Sequence, residues 1–230
     1  LDLLDEVEKF SVNEFLSAVT LGNSISETER SEIARKAARY SGLSERDFID
    51  NNLDVTDQYF WKKLLYDEGY ILGRLDSRYR GIDKRVAGSS PDTNIELNSW
   101  NHSFTPAINY YIKNELKFET DIKYNVFGPV HPWDRENDNT RENLRKAMAQ
   151  NPFLKVFIQS GYYDGATNYF QAKYTMWQVD PSGKMKDRFY FEGYRSGHMM
   201  YLRSEDLKKS NDDLRDFIKN SSTNGMPAKY

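Results

Sequence analysis

Two side chains in this sequence combine reactive chemistry with a placement that could use it. Asp164 lies in SGYYDGATNYF and His198 in GYRSGHMMYL. Each segment follows a short apolar run that reads as a β-strand, residues 154–160 (LKVFIQS) before the aspartate and residues 187–192 (DRFYFE) before the histidine. Open parallel sheets carry their functional groups just past the carboxyl ends of the strands. Neighbouring strands lie about 4.8 Å apart, so an acid on one such loop and an imidazole on the next come within hydrogen-bond reach. That is the equipment of an oriented general base: the carboxylate fixes the tautomer and stabilises the imidazolium while the ring takes a proton from a nucleophile. Taken singly, an Asp in a Gly-rich turn is a turn-former and a His in a loop is ordinary surface. Their joint placement after consecutive strands is what singles them out. The remaining histidines lack it: His102 stands near a helix start, and His131 precedes Pro132 in an aromatic loop.

The elements that must position this pair follow from periodicity and boundary signals. Residues 169–179 read as a helix between the two strands and residues 204–220 as a closing amphipathic helix. The order strand, helix, strand, helix implies parallel strands and a crossover connection. Upstream, the first 80 residues read as three short helices, with Ser-x-x-Glu/Asp start signals at Ser11, Ser26 and Ser44 and a stop at Gly42. Residues 55–75 read as a further helix, 77–101 as a long loop, 105–116 as a helix with Pro106 in its first turn, and 140–150 as another helix. Residues 124–133 form an irregular aromatic segment. Two parallel strands alone leave both sheet edges without partners. Either the helical first part covers the two strands in an unusual way, or further strands are supplied by residues upstream of Leu1 or by another chain. The opening LDLLDEVEKF begins in the middle of an amphipathic pattern, so a removed leader or a start farther upstream is expected.

Composition narrows the class. The 230 residues are 38% hydrophobic and 14% aromatic, which is too apolar for a disordered chain. A net charge of −3, from 32 basic and 35 acidic side chains, offers no basic excess to follow a nucleic-acid backbone. The absence of cysteine excludes disulfides and thiolate metal ligation. No run of about 18 apolar residues is present to span a bilayer.

At this level of detail a resemblance emerges. GYYDGATNYFQAKYTMWQ followed by GYRSGHMMYL resembles the C-terminal part of bacterial serine carboxypeptidases, of the α/β-hydrolase superfamily, and GRLDSRYRG (residues 73–81) resembles a segment ahead of their aspartate. The resemblance implies a partial α/β-hydrolase fold: residues 1–120 as a mainly helical cap insertion, and residues 121–230 as the βαβα end of the hydrolase domain. It assigns Asp164 as triad acid and His198 as triad base, in the order Ser, Asp, His. Asn168 departs from the family, whose bacterial members tend to have proline there; the change should alter the stiffness of the turn more than the chemistry. The larger departure is that no Gly-x-Ser-x-Gly run occurs, and Ser24, Ser89, Ser182 and Ser196 lack its flanking glycines. The implied nucleophile, oxyanion hole and carboxylate-binding groups therefore belong to an N-terminal half outside this chain, and the chain by itself should be inactive. The implied substrate is a peptide C-terminus and the implied location periplasmic or secreted, with neither cofactor nor metal. Two other classes stay open: a non-catalytic peptide- or protein-binding domain, and an esterase or acyltransferase of the same superfamily.

Other signals are weaker. DRENDN places Asp134, Glu136 and Asp138 at alternate positions, as a calcium loop does, but Asn139 replaces the glycine and Arg145 the bidentate glutamate. Ser182-Gly183-Lys184 lacks the upstream glycine of a phosphate loop and reads as a turn. Tyr59, Phe60, Trp61 and Tyr66 could line a pocket, yet aromatics at this spacing are ordinarily core. Arg74 and Arg78 could hold a carboxylate or pair with Asp76.

Overall fold

A computed structural model describes residues 2–122, 124, 128, 132–136 and 138–222. The chain combines helices with short strands and divides into two compact units, Leu1–Thr93 and Asn94–Tyr230.

In the first unit, helices α1 (Asp2–Phe10) and α2 (Leu16–Leu21) are joined by a π turn over Ser11–Phe15. Ser11 thus sits inside a helical run and does not start one: its hydroxyl donates back to the Val7 carbonyl at 2.8 Å, the competing bond open to a mid-helix serine. The other two start signals do act. Ser26 accepts from the Glu29 amide to open α3 (Glu27–Ser41), and Ser44 with Asp47 closes a reciprocal capping box on α4 (Glu45–Asp50). Gly42, left-handed at φ 82°, ends α3. Phe10, Ala18, Ile33, Ala34, Ala37, Leu43 and Phe48 form one buried cluster, with Tyr59 and Phe60 packed on it. These aromatics are core, and the Tyr59 hydroxyl reaches the Asp47 carboxylate at 2.6 Å.

The helix expected over 55–75 is shorter. Helix α5 (Asp57–Lys63) gives way to a 3-10 turn and to Gly69 at φ 76°, after which β1 (Ile71–Leu72) pairs antiparallel with β2 (Arg80–Gly81). The turn between these strands is fixed by Asp76, which accepts from the Arg78 backbone amide and takes its guanidinium in a two-point pair, Nε–Oδ1 2.9 Å and Nη2–Oδ2 2.6 Å. Arg78 is thus engaged structurally.

One interaction in this unit carries unusual electrostatic weight. Lys62 on α5 is buried with 2% of its side chain exposed, and it pairs with Asp83, 3% exposed, while also donating to the Arg85 carbonyl. Burial pushes the Asp83 carboxyl up, but hydrogen bonds from Asp92 and Lys62 outweigh it and hold the group below its ordinary range. A carboxyl lowered by folding contributes stability that is complete above its unfolded value and is lost as the pH falls through the lowered folded one. Asp83→Asn, which leaves the ammonium uncompensated, is expected to cost about 3 kcal/mol at neutral pH and to flatten the acid dependence of stability. Urea unfolding of both proteins between neutral and acidic pH measures this.

The second unit opens with α6 (Ile95–Tyr110), which starts within the segment expected as a loop and carries Pro106 in its interior, not its first turn. The helix buries Trp100, a residue whose apolar signal stands alone among polar neighbours. A π turn over Tyr111–Glu115 and Lys117 at φ 55° end the helical run. Helix α7 (Thr140–Gln150) follows, and Arg188 donates to the Met148, Asn151 and Pro152 carbonyls at its carboxyl end, where a cation is favoured. His131 and most of the aromatic segment lie outside the described residues.

The remainder is the expected β-α-β-α series. Strand β3 (Val156–Gly161), helix α8 (Tyr169–Val179), strand β4 (Phe189–Tyr194) and helix α9 (Ser204–Ser221) follow in order, and the strands pair in parallel from Val156↔Phe189 to Gly161↔Tyr194. Alternation sorts the sheet faces. On one face Phe157 stacks on Phe217 of α9 at 5.0 Å and Tyr190 meets the same ring edge-on at 5.4 Å. On the other, Phe189 and Phe191 line a hollow with Met176 and Trp177 of α8. Among the described residues the sheet has no third strand, and no described helix is long and apolar enough to cross a membrane.

Candidate active site

The register of β3 and β4 brings both strands to an end at the same level, and backbone pairing continues beyond them. Tyr162 N–H donates to the Tyr194 carbonyl at 2.9 Å and Tyr163 N–H to the Ser196 carbonyl at 3.0 Å. The loop of Asp164 and the loop of His198 are therefore zipped together close to those two residues. Gly161 makes this possible: a Cβ there would lie 2.2 Å from the Gly197 carbonyl oxygen and 2.3 Å from that of Ser196. Only a residue without a side chain lets the second loop cross over the end of the first strand. Gly193 plays the matching part on β4, where the Tyr162 ring fills the space.

Asp164 turns into the loop as an acceptor for its own neighbours. Oδ1 accepts from the Ala166 and Thr167 amides at 2.8 and 3.0 Å, and Oδ2 accepts from the Thr167 hydroxyl at 2.7 Å. The fourth donor is the imidazole of His198, Nδ1 to Oδ2 at 2.9 Å. A carboxylate serves as acceptor only, so Nδ1 is the donor of this bond, and a neutral ring so held keeps its lone pair on Nε2. Burial divides the roles: the Asp164 side chain is 5% exposed and that of His198 43%. The acid is sheltered from water while the ring presents an open edge. Immediately after the acid, Asn168 accepts from the Gln171 amide at 2.9 Å and caps α8. Asn168 thus performs a helix-start function that a residue without a side-chain acceptor could not.

The two sequence-predicted site residues are brought together. His102 instead sits on α6, with Nδ1 3.2 Å from the Asn98 carbonyl. Asp134 accepts from the Glu136 amide at 2.8 Å, and among the described residues no group of acidic or histidine side chains could hold a metal ion. Ser182 and Gly183 form a turn, with the serine hydroxyl on Asp180 and Gly183 at φ 70°. Thr167 and Gly161 were not singled out by sequence reasoning. The run Asp-Gly-Ala-Thr carries the signal for Thr167, because an Asx turn that bonds amides two and three residues on leaves a hydroxyl at the third position beside the carboxylate. For Gly161 the close approach is a tertiary fact with no local signature.

Comparisons with protein-family models, with curated proteins and with solved structures find no match to this chain.

The crowding at Gly161 yields a direct expectation. Gly161→Ala must displace the Ser196–Gly197 backbone and carry His198 away, so a crystal structure of the variant should show Nδ1 and Oδ2 separated beyond about 3.5 Å, outside hydrogen-bond range. An unchanged separation contradicts the positioning role given to this glycine.

Proposed function

We propose that this chain supplies the acid and base of a serine-hydrolase triad, in a carboxypeptidase-type enzyme whose nucleophilic serine lies outside these 230 residues. The observation that carries the reading is the Asp164–His198 pair: a buried carboxylate bonded to Nδ1 of a largely exposed imidazole, at the carboxyl ends of adjacent parallel strands. In the mechanism, Nε2 takes the proton of the attacking serine hydroxyl as the Ser Oγ–carbonyl bond forms. The imidazolium is stabilised by Asp164 and then returns the proton to the departing amine; water deacylates the enzyme by the same exchange. Asp164 does not need to accept the proton.

Two further observations support an α/β-hydrolase setting. Within the described residues, the parallel sheet has two strands with open edges, an arrangement ordinarily completed by more strands. The resemblance of residues 161–178 and 193–202 to bacterial serine carboxypeptidases supplies the substrate class, the C-terminal peptide bond, and with it an exported location.

A serine-directed fluorophosphonate tests the assignment. It is expected to label the product of the full gene on a serine outside residues 1–230, to leave this chain alone unlabelled, and to lose several orders of magnitude in labelling rate in His198→Ala, as removal of a triad base does. Labelling within this chain, or undiminished labelling of His198→Ala, contradicts it.

A further inference from the structure

The loop that carries His198 is tied down on its far side by groups that the triad chemistry does not use. Ser196, two residues before the histidine, is fully buried. Its carbonyl accepts from the Tyr163 amide of the acid loop, as described above. Its hydroxyl donates to Oδ2 of Asp206, a carboxylate in the first turn of α9 that is itself only 5% exposed. The other oxygen of Asp206 takes the Arg203 guanidinium at 2.9 Å. A carboxylate is favoured at a helix amino terminus, so Asp206 is held by its own helix and can serve as an anchor for a neighbour.

Helix α9 is in turn fixed to the sheet farther along. Tyr194, the last residue of β4, is 1% exposed; its hydroxyl donates to Asp213 at 2.8 Å and accepts from Gln159 at 2.8 Å. Lys209 adds an ion pair to Glu192 of β4 at 2.9 Å, so the ties of the helix to the sheet and its tie to the loop are of different kinds. Those at Asp213 and Lys209 hold helix to strand. The one at Asp206 holds helix to the base loop.

We propose that Ser196 and Asp206 are positioning residues for the base: their buried bond fixes the loop so that His198 Nδ1 stays on Asp164 and Nε2 faces outward. This rests on the reading of His198 as a general base. Ser196 acts as a junction, its backbone joined to the acid loop and its hydroxyl to α9, two residues before the histidine. Without the side-chain bond, the loop keeps its backbone tie at Ser196 but loses a buried side-chain restraint on the chain that leads into His198. The ring then samples orientations in which Nδ1 has no acceptor, and a neutral imidazole free of restraint favours the proton on Nε2, the wrong tautomer for proton abstraction.

The tautomer is measurable in this chain without a substrate. Nitrogen-15 NMR of ring-labelled histidine distinguishes Nδ1–H from Nε2–H, and the wild-type chain at neutral pH is expected to show His198 as Nδ1–H. Ser196→Ala, which removes one buried oxygen, is expected to shift the ratio of Nδ1–H to Nε2–H by about tenfold, the equivalent of one lost intramolecular hydrogen bond. Asp206→Ala should produce the same shift from the other partner, and Asp206→Asn, which keeps an acceptor for the serine, should resemble wild type. Tyr194→Phe serves as the control: it removes a buried bond of the same helix and lowers stability, yet should leave the tautomer alone. If wild type shows Nδ1–H and both Ser196→Ala and Asp206→Ala retain it, or if Tyr194→Phe shifts it equally, the positioning role is overturned while the Asp164–His198 pair stands. If wild type itself shows Nε2–H, the reading of the pair falls, and this inference with it.

Discussion

Everything distinctive in the second unit depends on the register of two parallel strands. Because Gly161 is opposite Tyr194, β3 and β4 finish side by side, and the loops that follow begin from a common level. A slip of one residue would turn every side chain of the slipped strand to the opposite face of the sheet. Phe157 and Tyr190 would no longer share the face that meets α9, and Asp164 and His198 would no longer follow from a common level. The packing of Phe217 against both strands and the Tyr194 hydroxyl between Gln159 and Asp213 oppose such a slip. The burial that stabilises the βαβα series is thus the same burial that sets the geometry of the pair.

The pair itself is asymmetric in a way that suits proton transfer. Asp164 accepts three donors from its own turn besides the histidine, so its orientation does not depend on the ring alone. His198 Nδ1 meets Asp164 at 2.9 Å and the Thr167 hydroxyl at 3.3 Å, and the side chain is largely exposed. A rigid, sheltered acid and an exposed base fit a site in which the imidazole must meet a group approaching from outside the loop. The surroundings show how little freedom the backbone has. Gly161 and Gly193 are each occupied in space by the opposite loop, so the two loops interlock through their glycines.

Much of this arrangement was legible in the sequence, for a physical reason. Residues 154–160 and 187–192 are short apolar runs bounded by turn formers, and such runs specify strands locally; the structure places them at Val156–Gly161 and Phe189–Tyr194. Helices α7 and α8 have the boundaries that caps and periodicity indicate. Where local signals competed with tertiary ones, the sequence was harder to read. Ser11 carries a start signal, but Phe10 and Phe15 on either side of the turn pack against one another and continue the helix through it. Helix α6 has few apolar residues to announce its first turns, and the burial of Trp100 holds it. Asp164 and His198 could be named from their loops, whereas the contributions of Gly161, Ser196 and Asp206 arise only when segments distant in sequence meet. In the sequence Ser196 reads only as a serine without the flanking glycines of a nucleophile, whereas in the fold it is buried and bonded to Asp206.

The central claim is that the fold holds a carboxylate and an imidazole together as an interacting pair. A double-mutant cycle tests it most directly: the unfolding free energies of wild type, Asp164→Ala, His198→Ala and the double variant, measured in urea at neutral pH. The account requires a favourable coupling of about 1 kcal/mol or more between the two positions, the size found for groups that share a hydrogen bond. Additivity of the two single substitutions to within about 0.3 kcal/mol, the behaviour of independent sites, would contradict it.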